Sequence, residues 1–185
     1  MNLANYITLL RILLIPFFIN LMIYGYYREA LLIFVVAGIT DALDGLIARA
    51  TKTKTELGAF LDPMADKLLL IAAFVTLVLL DLLPVWLVII VVSRDIILVF
   101  GAIALYSTGH RFKARPSIIG KATTVLQLAV VVLSLTLITY GTTWGIMPVL
   151  YWSAAGFTIA SGLQYVARGV KIVGENKHVD GSGRM

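Results

Sequence analysis

Six apolar runs of about twenty residues, joined by connections too short to hold a domain, leave this chain one kind of architecture. They lie near Tyr6–Tyr24, Ala30–Ala50, Leu57–Leu80, Pro84–Tyr106, Ile118–Tyr140 and Ile146–Val170. A helix needs about 20 apolar residues to cross the hydrocarbon of a bilayer, and without water only a helix or a closed barrel satisfies its own backbone polar groups. With 60% of its residues hydrophobic and 14% charged, the chain is far more apolar than a water-soluble fold of its size requires. The expected fold class is all-α, a polytopic membrane protein with six transmembrane helices. Residues 1–171 form the membrane domain. Residues 172–185, with Gly174, Glu175, Asn176, Lys177 and Gly181-Ser182-Gly183, read as a polar, disordered tail. The first run lacks a basic leader and a small-residue cleavage site, so it reads as a span and not as a removable signal. Cysteine is absent, which excludes disulfides and thiolate metal sites.

Loop lysines and arginines orient such a bundle. Arg49, Lys52 and Lys54 fall at or between the facing ends of runs two and three, Arg111, Lys113, Arg115 and Lys121 at or between those of four and five, and Lys171, Lys177 and Arg184 after run six. The connections on the other side carry only Arg28. Both termini and the basic loops are therefore expected on the cytoplasmic side of the inner cell membrane.

Several ionisable residues sit within the runs: Arg11, Asp41, Asp44, Asp62, Asp66, Lys67, Arg94 and Asp95. A charge at that depth costs at least ~2.5–3.5 kcal/mol and needs a partner. Asp41 and Asp44 are three apart and Asp62 and Asp66 four apart, so on helices each pair shares one face. The stretch between them, with Lys52 and Lys54 among threonines, suits a polar turn. Thr53 and Glu56 fit a capping box opening the third helix, and Pro63 is expected to kink it. In a helical hairpin Asp44 comes level with Asp62, and Asp41 with Asp66. Packed helices run about 8–10 Å apart, near enough for the four carboxylates to converge.

Two readings of that convergence compete. In the first, Lys67, Arg94 and Arg49 neutralise the aspartates in a structural network, which suits the adjacent Arg94 and Asp95. It suits four aspartates at one depth poorly, because mutual repulsion would protonate some of them. In the second, the carboxylates hold two divalent ions. All-oxygen ligands favour Mg²⁺ or Mn²⁺ over zinc, and a two-metal site matches in-line phosphoryl displacement. Gly45 and Gly58 either let helices pack closely or let a nucleotide lie against bare backbone.

Together these residues read Asp41-x-x-Asp44-Gly45-x-x-Ala48-Arg49, eight residues, then Gly58-x-x-x-Asp62-x-x-x-Asp66. In residues and spacing the pattern resembles the signature of the CDP-alcohol phosphatidyltransferases, membrane enzymes that displace CMP from a CDP-linked lipid with an alcohol. The resemblance implies that family's fold and a magnesium- or manganese-dependent site of two ions. Asp41, Asp44, Asp62 and Asp66 would be metal ligands, with Asp66 also the catalytic base for the acceptor hydroxyl. Gly45, Ala48, Arg49 and Gly58 would line the pocket for the CDP moiety. It also implies a homodimer that packs spans three and four, each protomer keeping a complete site. The expected partners are CDP-diacylglycerol, an alcohol acceptor and the lipid bilayer, and no nucleic acid.

The acceptor has two candidates. Asn5, Thr8 and Arg11 stand three apart before Pro16, and with Pro116-Ser117-x-x-Gly120-Lys121-x-x-Thr124-x-x-Gln127 they resemble members that take sn-glycerol 3-phosphate. Members that take phosphatidylglycerol and form cardiolipin share the second motif, and Ser93-Arg94-Asp95 is closer to theirs. A dianionic phosphate wants a basic pocket, for which Arg94, Arg115, Lys121 and Arg168 are the candidates. The same cations also suit anionic headgroups. The density of cations near run five favours glycerol 3-phosphate. A divalent-cation transporter is the rival of another class. It is disfavoured because the acids lie within roughly 13 Å of the basic end by helical rise, and no second half of the chain echoes them.

The topology is directly testable. A cysteine introduced at Lys52 should be modified only by reagents that reach the cytoplasm; labelling from outside in intact cells would refute the orientation.

Overall fold

The computed structural model describes the backbone of residues 3–51, 56–107, 117–142 and 145–181, and the side chains of 10–40, 67–101, 117–142 and 145–170. Among these residues the protein has six helices and no strand. They are α1 (Leu3–Ile23), α2 (Tyr27–Thr51), α3 (Glu56–Leu79), α4 (Val85–Ser107), α5 (Ile118–Tyr140) and α6 (Met147–Gly181). Five of the apolar runs coincide with a helix to within three residues at either end. The sixth differs at its end: α6 continues through residues 172–181, which the sequence reading assigns to the tail. That segment has no proline, and glutamate and lysine are good helix formers. The proposed capping threonine, Thr53, lies outside the described residues. α3 runs as one helix through Pro63.

Three helix ends share one design. α1 closes with Tyr26 N–H donating to Leu21 O at 2.8 Å and Gly25 N–H to Met22 O at 3.2 Å. α3 closes with Leu82 N–H to Leu77 O at 2.8 Å and Asp81 N–H to Val78 O at 2.9 Å. At the end of α5, Thr142 N–H reaches Leu137 O at 3.0 Å and Gly141 N–H reaches Ile138 O at 3.4 Å. This paired return satisfies carbonyls that a helix end would leave without donors, and it needs one residue in the left-handed region. Gly25 and Gly141 supply it at φ 78° and 62°, whereas the third position is held by Asp81 at φ 57°. The caps of α1 and α3 lead into the next helix over short connections.

The chain divides into two compact units, Met1–Val88 with Leu128–Gly145, and Ile89–Gln127 with Ile146–Met185. In the first, α1 packs on both α2 and α3. Phe18 of α1 meets Phe34 of α2 with ring centroids 5.9 Å apart, tilted at 45°, an arrangement favoured by the ring quadrupoles. Ala30, Phe34 and Ala37 on α2, and Leu70, Ala73, Phe74 and Leu77 on α3, are buried at helical spacing. The alanines admit close backbone approach beside the large rings. Facing outward at the same period are Leu10, Leu13 and Phe17 on α1 and Leu32, Val36 and Ile39 on α2, each more than half exposed. Pro16 lies within α1, also on an exposed face.

The second unit takes residues from α4, α5 and α6. Its contacts are closer and more polar. A Cβ on Gly101 of α4 would lie 2.9 Å from the Tyr165 ring of α6, so the bare glycine lets that ring rest on the backbone of α4. Ile89, Ile96, Val99 and Phe100 on α4, and Trp152, Ile159, Leu163, Val166 and Val170 on α6, remain exposed. Uncovered apolar stripes of this extent are not left to water. By length and composition α5 is long and apolar enough to cross a membrane, and it is the one described helix that meets both measures.

Asp81 offers a test of the cap. A β-branched side chain in the left-handed region costs about 1–2 kcal/mol, so Asp81→Val should lower the unfolding temperature in detergent. Asp81→Gly should equal or exceed the parent. Equal stability of all three would show that the left-handed turn contributes nothing.

Candidate active site

The backbone places the four sequence-predicted carboxylates on two helices. Asp41 and Asp44 belong to α2, with Gly45, Ala48 and Arg49 following in its last turns, and Gly58, Asp62 and Asp66 belong to α3. Helical geometry puts Asp41 with Asp44, and Asp62 with Asp66, on a common face of their helix. Their side chains lie outside the described residues, as do those of Gly45, Ala48, Arg49 and Gly58. Both helices pack against α1, whose Arg11 is buried with 4% of its surface exposed. The donor set suits a hard divalent cation: all oxygen, doubly paired, with no cysteine or histidine nearby in sequence. Among the described residues alone, no cluster of acidic or histidine side chains forms a metal site.

The acceptor candidates fall in the second unit. Arg115 lies outside the described residues. Lys121, in the first turns of α5, and Arg168, near the middle of α6, have exposed side chains. Arg94 differs from both. It is buried on α4 with 8% exposed; its Nη1 donates to Asp95 Oδ1 at 2.7 Å and its Nη2 to Ser161 Oγ on α6 at 2.9 Å. Its Nε has no partner. The adjacent Arg94 and Asp95 thus form the ion pair that the structural reading anticipates for them. The structure brings Arg94 to the start of α5 as well, since a Cβ on Gly120 would stand 3.8 Å from Nη2.

Residues Ser117 to Gln127 of the motif build the start of α5; Pro116 lies outside the described residues. Ser117 caps the helix, its Oγ accepting from Gly120 N–H at 3.0 Å, as an N-cap serine does. One turn on, Thr123 Oγ1 lies 2.8 Å from Ile119 O and 3.0 Å from Phe157 O of α6. Gln127 Nε2 donates to Thr158 Oγ1 at 3.2 Å, and Thr158 donates to Ala154 O at 2.6 Å. Gln127, Thr123 and Thr158 are fully buried. Away from water such contacts link helices more specifically than apolar packing does. Sequence reasoning singled out Gln127 and Arg94 but missed their partners Thr158 and Ser161, and it missed Thr123 as well. The available signal was the spacing of Thr158 and Ser161, one turn apart within an apolar run.

Long helices with the carboxylate signature on α2 and α3 fit a membrane-associated transferase. Residues 1–160 match the CDP-alcohol phosphatidyltransferase family, and the chain belongs to it as an enzyme of that class. It is 34% identical over 184 residues to the CDP-diacylglycerol–glycerol-3-phosphate 3-phosphatidyltransferase of Bacillus subtilis, covering 90% of this chain and 94% of that protein. Identity is 35% over 179 residues to a "probable phosphatidylglycerophosphate synthase" of Mycobacterium tuberculosis, covering 94% of this chain and 84% of the relative. The CMP-forming cardiolipin synthase of Rattus norvegicus is 33% identical over 189 residues, covering 93% of this chain and 63% of its own length.

Proposed function

We propose that this enzyme transfers the phosphatidyl group of CDP-diacylglycerol to sn-glycerol 3-phosphate, giving phosphatidylglycerophosphate and CMP. The observation that carries this reading is the near full-length similarity to the Bacillus subtilis enzyme, whose name specifies that donor and acceptor. The six helices act as six spans of the inner cell membrane, with the ends of α2, α4 and α6 toward the cytoplasm. The uncovered apolar stripes and the basic loops support that placement. Residues 1–171 form the catalytic domain, and residues 172–185 extend past it.

Within the site, Asp41, Asp44, Asp62 and Asp66 hold two Mg²⁺ or Mn²⁺ ions. When bound, such ions supply Lewis acidity at the phosphoryl group and charge stabilisation for departing CMP. Gly45, Ala48, Arg49 and Gly58 receive the CDP moiety, with bare backbone and one guanidinium against the diphosphate. Asp66 takes the proton of the acceptor hydroxyl as its oxygen bonds to the lipid-linked phosphorus and the bond to CMP breaks. Arg115, Lys121 and Arg168, with Arg94 as the buried member of the set, serve the acceptor phosphate. Bidentate arginine is best suited to that task.

The runner-up is a CMP-forming cardiolipin synthase that takes phosphatidylglycerol, favoured by the Rattus norvegicus relative and by Ser93-Arg94-Asp95. Purified enzyme incubated with CDP-diacylglycerol, Mg²⁺ and one acceptor at a time separates the two. CMP release with glycerol 3-phosphate is expected, and cardiolipin as the sole product would overturn the assignment. Asp41→Asn, Asp44→Asn and Asp62→Asn should each abolish most turnover while the protein still inserts. Near-normal rates in any two would contradict the metal site. Arg115→Ala should raise the acceptor KM roughly ten- to hundredfold, the loss of one charge-assisted contact worth about 1.5–3 kcal/mol. Arg49→Ala should instead weaken CDP-diacylglycerol.

The exposed apolar faces also favour a homodimer that packs α3 and α4, each protomer holding a complete site. Co-reconstituting Asp41→Asn with Asp66→Asn protein should therefore restore no activity. Recovery would mean that the site is shared between protomers.

A further inference from the structure

Among the described acceptor-side cations, Arg94 is the one with both terminal nitrogens hydrogen-bonded, while its Nε–H has no partner. Nη1 is taken by Asp95 at 2.7 Å and Nη2 by Ser161 at 2.9 Å. The slot that admits the side chain is made by two glycines. A Cβ on Gly162 of α6 would lie 3.5 Å from Arg94 Cγ, and one on Gly120 of α5 would lie 3.8 Å from Nη2 and 3.1 Å from Ser117 Oγ. Arg94 therefore bonds to α6 and lies against the first turn of α5. A phosphate gripped end-on by both terminal nitrogens would compete with Asp95 and Ser161, and displacing either strands a buried polar group.

The location adds a second argument. The N-terminus of a helix carries partial positive charge, so a cation beside it is disfavoured unless an anion stands close. Asp95 is that anion, adjacent in the chain and 6% exposed. A buried pair of this kind contributes less to stability than to fixing one arrangement of the helices around it.

Two acceptor candidates are carried by the same pieces of helix. Lys121 follows Gly120 directly, and Arg168 stands seven residues after Ser161, two turns along the same face of α6. We propose that Arg94 is a positioning residue. With Asp95 as counter-ion and Ser161 as anchor, it sets the first turn of α5 against α6, so that Lys121 and Arg168 are presented together to a phosphate-bearing acceptor. This rests on the acceptor reading given above.

Ser161 provides the test, because it is not among the proposed substrate contacts. If Arg94 positions, Ser161→Ala should raise the acceptor KM about tenfold while the KM for CDP-diacylglycerol stays within about twofold. Arg94→Ala and the double variant should then be no worse than about the larger single effect. Arg94→Lys should not rescue, since an ammonium cannot span Asp95 and Ser161 as a guanidinium fork does. If Arg94 instead binds the phosphate, Ser161→Ala leaves the acceptor KM unchanged or lowers it, and Arg94→Lys recovers part of the loss; either result overturns the proposal.

A readout free of activity covers variants that assemble poorly. The chain has no cysteine, so spin labels on Lys121→Cys and Arg168→Cys report the α5–α6 geometry directly. Their distance distribution should broaden or shift with Ser161→Ala, and an unchanged distribution refutes positioning. The acceptor is established on the parent enzyme first, and the kinetic arm uses whichever acceptor it turns over. A failure with glycerol 3-phosphate thus counts against the acceptor assignment, and a failure of the Ser161 result against the positioning role.

Discussion

A charge removed from water must find its counter-charge inside the protein, and the organisation of this chain follows from that demand. Arg94 meets it with its own neighbour. Asp95 stands next in sequence and 2.7 Å away, so the pair can enter an apolar setting together at a lower cost than either charge alone. The other terminal nitrogen reaches another helix, where Ser161 accepts from it. The four aspartates of α2 and α3 outnumber Arg49 and Lys67, the cations nearest them in sequence, a charge imbalance that divalent cations would offset.

The same scarcity of water dictates how the helices end and how they meet. Three of them close with a paired backbone return through one left-handed residue, so that terminal carbonyls are satisfied within the turn. In the second unit, α5 and α6 are tied by hydroxyls and a carboxamide: Thr123 to a backbone carbonyl, and Gln127 to Thr158. Apolar packing alone gives little preference among helix rotations when the surroundings are as apolar as the interior. Directional bonds supply that preference.

The chemistry assigned to the family divides along the same lines. The carboxylates belong to helices held by α1, whose interior is rings and small side chains, with Phe18 against Phe34. Arg94 belongs to a polar seam whose members bond across helices.

The sequence by itself determined the number of helices, their limits to within a few residues, and the carboxylate pattern that marks the family. Helix length is set by local backbone satisfaction and by runs of apolar residues, both of which are legible in one dimension. The exception was the end of α6, where a composition that suits a solvated tail suits a helix equally well. The sequence was silent on which face of each helix turns inward, because helices apolar on all sides carry no amphipathic signal. Leu13 and Phe17 are exposed and Phe18 is buried, a distinction that no hydropathy pattern makes. Only the tertiary structure decided that Arg94, a candidate phosphate ligand by charge and position, is bonded to Asp95 and Ser161. That partnership spans 67 residues of chain and depends on two glycines leaving room for a guanidinium, a relation in space with no counterpart in local spacing.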